Sequence, residues 1–170
     1  MSSNRSRRVA LGGLFGVLIL ISGGFLPAPN SDFLIIFEAF FLALSFLVVG
    51  RGGATYVGVV AGILITFVKP SFFPLDLAFA TAFGLLVDGT CLAFRAKSGN
   101  EARTTRLVAA LTISTGLVGF AAYYIAAVMT NLVPNDVGLD ATVLIFGIIS
   151  GAIGGFAAAR VWNRYLKTKV

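Results

Sequence analysis

The chain has no histidine and a single cysteine, Cys91, among its 170 residues. Without histidine there is no imidazole metal ligand, no serine–histidine nucleophile pair and no imidazole general base. One cysteine leaves no internal disulfide. Charge is also scarce: 12% of residues are Asp, Glu, Lys or Arg, about half the usual share of a soluble domain. The seven acidic residues are spread along the chain without the ligand spacing of a carboxylate metal site. No phosphate-binding loop of the GxxxxGK[ST] type occurs, so ATP hydrolysis would have to belong to another chain. No nucleophile and base can be paired, and neither an enzyme activity nor a resident cofactor is expected.

What the sequence has in abundance is apolar residues, 58% of the chain. Twenty charges cannot cover a water-exposed surface of this size, so most of it is expected to face lipid. A membrane-spanning helix needs roughly 17 to 25 mostly apolar residues, and cutting the sequence on that scale yields six segments. They cover roughly residues 9–26, 33–49, 54–68, 77–94, 107–130 and 141–161. Between them lie Pro27 to Asp32, the Gly50-Arg51-Gly52-Gly53 turn, Lys69-Pro70-Ser71, the charged run Arg95 to Arg106, and Asn131 to Asp140. The apolar runs are continuous and lack the period-two alternation of a membrane barrel. The expectation is an all-α bundle of six transmembrane helices forming one membrane domain over 1–170, with no soluble domain and no strong internal repeat.

Orientation follows from the basic residues. Arg5, Arg7 and Arg8 precede helix one, Arg51 separates helices two and three, Arg95, Lys97, Arg103 and Arg106 lie between four and five, and Arg160, Arg164, Lys167 and Lys169 end the chain. All fall on one side of a six-span topology. The other side holds Lys69 with Asp32, Asp76, Asp136 and Asp140. Positive-inside bias therefore predicts a multi-pass protein of the cell membrane with both termini cytoplasmic. The net +6 is a topological signal and not a nucleic-acid footprint. A cleaved signal peptide competes for helix one, but its apolar run continues through Phe25 and Leu26, beyond the usual length of a targeting core.

Membrane helices associate through small residues and a few polar contacts. Gly12 and Gly16 on helix one, Thr55, Gly58, Gly62 and Thr66 on helix three, Thr112, Thr115 or Gly116, Gly119 and Tyr123 on helix five, and Gly147, Gly151, Gly154, Gly155 and Ala158 on helix six supply such faces. Two acids fall inside the expected spans, where even lenient scales charge about 2.5 to 3.5 kcal/mol. Glu38, on a face with Phe41, Leu42 and Ser45, lies about 8 Å below the outer edge at 1.5 Å rise per residue. It is either an anchor for a cationic or hydrogen-bonding solute, or a carboxyl bonded to a neighbouring helix or hydrated at the interface. Asp88, with Thr81, Gly84 and Cys91, is expected to be structural, paired with a basic residue such as Arg51 or Arg95 or touching a partner. At the outer end, Asn30, Asp32, Phe73, Tyr123 and Asn131 are candidates to close an apolar pocket around the solute, Tyr124 a weaker one.

The run Gly24-Phe25-Leu26-Pro27-Ala28-Pro29-Asn30 onward to Glu38, the run Val49-Gly50-Arg51-Gly52-Gly53-Ala54-Thr55-Tyr56-Val57-Gly58 onward to Leu64, and the glycine-rich sixth helix ending in basic residues resemble the substrate-binding S component of energy-coupling factor (ECF) transporters. The resemblance extends over essentially the whole chain and lies more in architecture than in sequence. It implies a vitamin or related micronutrient bound near the outer face under the loop between helices one and two. It also implies partners: a transmembrane coupling subunit and two ATPase subunits, which drive toppling in the bilayer and release. Small residues of helix one, often alanines four apart, dock the coupling subunit in that family; Ala10, Gly12, Gly13 and Gly16 stand there in this chain, glycine replacing alanine at three of the four. The sole tryptophan, Trp162, lies at the cytoplasmic end, away from any outer site. The aromatics around Glu38 suit a planar, basic heterocycle such as a thiamine precursor. Two other classes stay open from the residues alone: a self-contained secondary carrier or channel using Glu38 and Asp88 as ion or proton sites, and a membrane scaffold with no solute.

Overall fold

The computed structural model of the chain describes residues 2–24, 35–70, 74–125 and 137–168. Among them are six α-helices: α1 (Ser2–Gly24), α2 (Ile35–Val49), α3 (Gly53–Val68), α4 (Leu75–Ala93), α5 (Thr104–Tyr124) and α6 (Val137–Val161). Among the described residues each apolar run contributes one helix. The stretches Leu75–Ala93, Thr104–Tyr124 and Gly138–Leu166 are long and apolar enough to cross a membrane, while Val9–Ser22, α2 and α3 are shorter apolar helices.

The helices are joined by close backbone approach at glycine. α1 runs parallel to α3, since a Cβ at Gly12 would stand 2.6 Å from the Tyr56 ring and one at Gly16 would stand 2.7 Å from Val60. α3 and α4 are antiparallel: Gly58 lies against the Ala80 carbonyl, Gly62 against Leu77, and Gly84 against Ala54 and Thr55. On the other side α5 and α6 are antiparallel, with Gly147, Gly151 and Gly155 facing Thr115, Leu111 and Val108 in turn. Gly154 turns instead toward Ile36, Ala39 and Phe40 of α2.

α2 is the central post. Leu42 through Val48 are all buried, which covers every face of a helix, and α2 touches each of the other five. Its exit is abrupt. Gly50 and Gly52 take left-handed backbone, φ 91° and 81°, so the chain reverses within three residues, and Gly53 then passes under the Ser45 carbonyl. Large apolar side chains such as Leu85, Ile145 and Phe156 are more than half exposed on the outside of the bundle.

Residues 95–106, expected as a plain loop, carry a small antiparallel hairpin, β1 (Lys97–Ser98) and β2 (Glu101–Ala102), turned at Gly99 with φ 59°. Periodicity could not reveal strands of two residues whose stability comes from elsewhere. The hairpin is bolted to a π-helical turn, Trp162–Leu166, that continues α6. Asn163 accepts from the Ala102 N–H at 3.0 Å and donates to its carbonyl at 2.8 Å, as a further strand would. The Trp162 indole donates to the Asn100 carbonyl at 3.0 Å, and the Lys97 ammonium lies 4.5 Å from the Trp162 ring centroid while donating to the Leu47 carbonyl at the end of α2.

Two neighbouring glycines of α4 test the close-packing account. A Cβ at Gly84 would meet the Ala54 carbonyl oxygen at 2.5 Å, whereas one at Gly89 would meet nothing within 4 Å. Gly84→Ala is expected to destabilise by about 1 to 3 kcal/mol. Gly89→Ala is expected to be neutral or to stabilise by up to about 1 kcal/mol through helix propensity. Thermal unfolding of both variants in one detergent checks the contrast.

Candidate functional site

Of the residues expected around a solute, the described part of the chain contains Glu38, Phe41 and Tyr123. Asn30, Asp32, Phe73 and Asn131 lie outside the described residues. Glu38 stands in the first turn of α2, and its stripe continues inward through Leu42 and Ser45, both fully buried. Among the described residues none hydrogen-bonds to Glu38, while Ser45 is already satisfied by donating to the Leu42 carbonyl at 2.7 Å. Phe41 is half-buried beside it, its ring 6.0 Å from Phe15 of α1 and 5.2 Å, edge-on, from Phe40. An aromatic cluster contributed by α1 and α2 thus lies within one turn of Glu38 along α2.

Helix directions put the end of α5 at the same end of the bundle. There Tyr123 turns inward and is buried, and Tyr124 turns outward and stacks on Phe120 at 6.4 Å. Farther down the α5–α6 seam, the hydroxyls of Thr115 and Ser150 are buried with no hydrogen-bond partner among the described residues. Unpartnered hydroxyls in an apolar interior are uncommon. Ser150 escaped the sequence reading because one small polar residue in a glycine-rich run carries no signal of its own.

The four helix-one residues divide between two faces. Gly12 and Gly16 are buried and occupied by Tyr56 and Val60 of α3. Ala10 is exposed, and Gly13 has nothing within 4 Å of a Cβ, so these two lie on the open side of α1. The common stripe read from spacing is thus split by the helical turn, with the four-residue pair Gly12 and Gly16 serving the chain's own packing.

Asp88 is buried, and its partners are not the expected arginines. From α4 it accepts the Thr55 N–H at 2.8 Å, the Ala54 N–H at 3.3 Å and the Thr55 hydroxyl at 2.6 Å. α3 begins after Gly52, which has no side chain with which to cap it. Its free N–H groups and positive end are instead met by a carboxylate from the next helix. The sequence signal was there, a helix start without Ser, Thr, Asp or Asn before it, but it does not say from where the cap comes. A neighbouring polar contact, Thr90 Oγ1 to Ser114 Oγ at 2.7 Å, ties α4 to α5 and was also missed.

Among the described residues no group of His, Cys, Asp and Glu is placed to hold a metal ion. No protein-family model, curated protein or solved structure matches the chain.

Removing the cap tests its role. Asp88→Ala leaves two N–H groups buried without an acceptor and is expected to destabilise by about 2 to 4 kcal/mol, from ordinary costs of about 1 to 3 kcal/mol per unsatisfied group. Thr55→Val removes one contact and should cost about 1 kcal/mol. In the Thr55→Val background Asp88→Ala should cost less than in the wild type, a coupling read from a double-mutant cycle of unfolding midpoints.

Proposed function

We propose that this chain is a six-span membrane protein that binds a small solute at its outer end, as the substrate-specific subunit of an ECF-type importer. One arrangement carries the reading: the basic residues gather at one end of an up-and-down helical bundle, and an intramembrane carboxyl, Glu38, faces a buried stripe at the other. The first feature supports a cytoplasmic basic end with both termini there. The second supports a polar anchor, since an ionisable group inside a membrane bundle is a functional-site candidate by default.

In this reading Glu38 receives a hydrogen-bond donor or cationic ring of the solute, and Phe41 and Phe40 supply its apolar walls. Tyr123 lines the site from α5, and the loops containing Asn30, Asp32, Phe73 and Asn131 close over it. A planar heterocycle of the vitamin-precursor class fits this chemistry. The coupling subunit docks on the open face of α1, at Ala10 and Gly13, because Gly12 and Gly16 are engaged with α3. Its two ATPase partners supply the energy.

The test is to purify the full chain in mild detergent and identify retained small molecules by native mass spectrometry followed by denaturing extraction. A stoichiometric heterocyclic ligand is expected, with affinity weakened about tenfold or more by Glu38→Gln, the scale of a lost hydrogen bond to a charged group. A repeatedly empty protein that also fails to bind a panel of vitamins and their precursors would remove the solute reading. An affinity unchanged by Glu38→Gln at every pH would remove Glu38 from it.

A further inference from the structure

At the end of the bundle opposite Glu38, the exit of α2, the end of α4 and the hairpin border a half-open cavity of about 560 Å³. Its floor is Phe46 and Cys91, and its walls carry four cationic side chains, Arg51, Arg95, Lys97 and Arg103, with no acid among the lining residues. The volume is in the range of small-ligand sites.

The acids nearest in sequence are engaged elsewhere. Asp88, one turn from Cys91, is held by the α3 N–H groups, and Glu101 pairs with Lys167 at 2.9 Å. Lys97 belongs to the wall itself, fixed between the Leu47 carbonyl and the Trp162 ring. The Arg103 guanidinium rests on the Ser98 hydroxyl at 3.3 Å, and the guanidinium groups of Arg51 and Arg95 have no hydrogen bond or ion pair among the described residues. Three exposed guanidinium groups beside the half-buried Lys97 make this cleft a place where an anion is attracted.

The backbone at Arg95 adds an independent sign. α4 ends with the Ala96 N–H bonded to the Cys91 carbonyl at 2.9 Å and the Arg95 N–H to the Leu92 carbonyl at 3.1 Å, and Arg95 between them has φ 50°. That left-handed position of a helix terminus normally belongs to glycine, because a Cβ is disfavoured there. Here the strained position holds an arginine that lines the cavity, as expected where a side chain is kept for what it binds.

We propose that this cavity is a binding site for a phosphate-bearing anion, either the headgroup of an anionic phospholipid or a soluble phosphate compound. Guanidinium groups match phosphate oxygens in pairs, and basic cavities between helices at the cytoplasmic surface are suited to lipid headgroups. The site uses none of the residues assigned to the solute, so it stands or falls separately from the transport reading.

The experiment uses the full chain with two probes: inorganic phosphate, titrated calorimetrically in detergent, and phosphatidylglycerol, whose retention over phosphatidylcholine from mixed-lipid nanodiscs is counted by native mass spectrometry. Removing one arginine should weaken binding roughly fivefold, and R51Q/R95Q/R103Q about a hundredfold. R160Q/R164Q, which removes charge at the same end but outside this cavity, should change binding by less than about twofold. Arg95→Gly serves as the folding control: it should unfold at a temperature no lower than the wild type and still bind more weakly. Preferential retention of phosphatidylglycerol that phosphate does not displace would assign the site to the lipid. Binding of phosphate, with displacement of the lipid, would assign it to a soluble phosphate compound. No preference for phosphatidylglycerol together with no phosphate binding, or an equal loss in R160Q/R164Q, would overturn the proposal.

Discussion

The carboxylate of Asp88 lies in an apolar interior and is held by the start of a helix to which it does not belong. That contact requires close approach of two backbones, because a short aspartate reaches the N–H groups of Ala54 and Thr55 only where α3 and α4 nearly touch. Gly58, Gly62 and Gly84 permit it. The cap and the glycine seam are therefore one device: larger residues in the seam would part the cap from its donors, and loss of the cap would leave polar groups buried without partners. α3, held in this way, in turn provides Tyr56 and Val60 as the seat for α1. α1, α3 and α4 are thus linked through one buried carboxyl and the glycine seam beside it.

The second half of the bundle is organised around α2. Its lower part is enclosed on all faces, its N-terminal turn carries Glu38 at the boundary of the enclosed stripe, and its C-terminal carbonyl at Leu47 receives Lys97 from the hairpin. One helix thereby joins the two ends to which function is assigned, a carboxyl with aromatic walls at one end and a cationic cavity at the other. The Lys97, Trp162 and Asn163 contacts fasten the hairpin to α6 and shape that cavity. Among the described residues Arg51, Arg95, Lys97, Arg103, Arg106, Arg160 and Arg164 gather at one end of the bundle, with Lys69 at the other.

The helices were legible because continuous apolar runs of helical length, broken by Gly, Pro and charge, leave little choice of element. Small-residue spacing marked the faces of α3 and α6 that pack. It did not identify the partner of each face: Gly12 and Gly16 serve α3, while Gly13 one position on looks outward, a distinction that lies in rotation about the α1 axis. Asp88 was readable as buried, yet two of its three donors are backbone N–H groups more than thirty residues away, and a backbone N–H leaves no mark in sequence. The hairpin was invisible for a related reason. Its strands are two residues long and are completed by an asparagine side chain from α6, a long-range contact with no local pattern.

Membrane disposition is the claim on which the transport reading rests, and site-directed labelling tests it most directly. In a Cys91→Ala background, single cysteines at Pro74, on the Glu38 end, and Thr168, on the basic end, are treated in intact cells with a membrane-impermeant maleimide. Both native side chains are exposed and outside the apolar helical stretches. The account predicts that Pro74→Cys labels in intact cells and Thr168→Cys labels only after the membrane is permeabilised. Labelling of both from outside, of neither, or in the reverse order would contradict it.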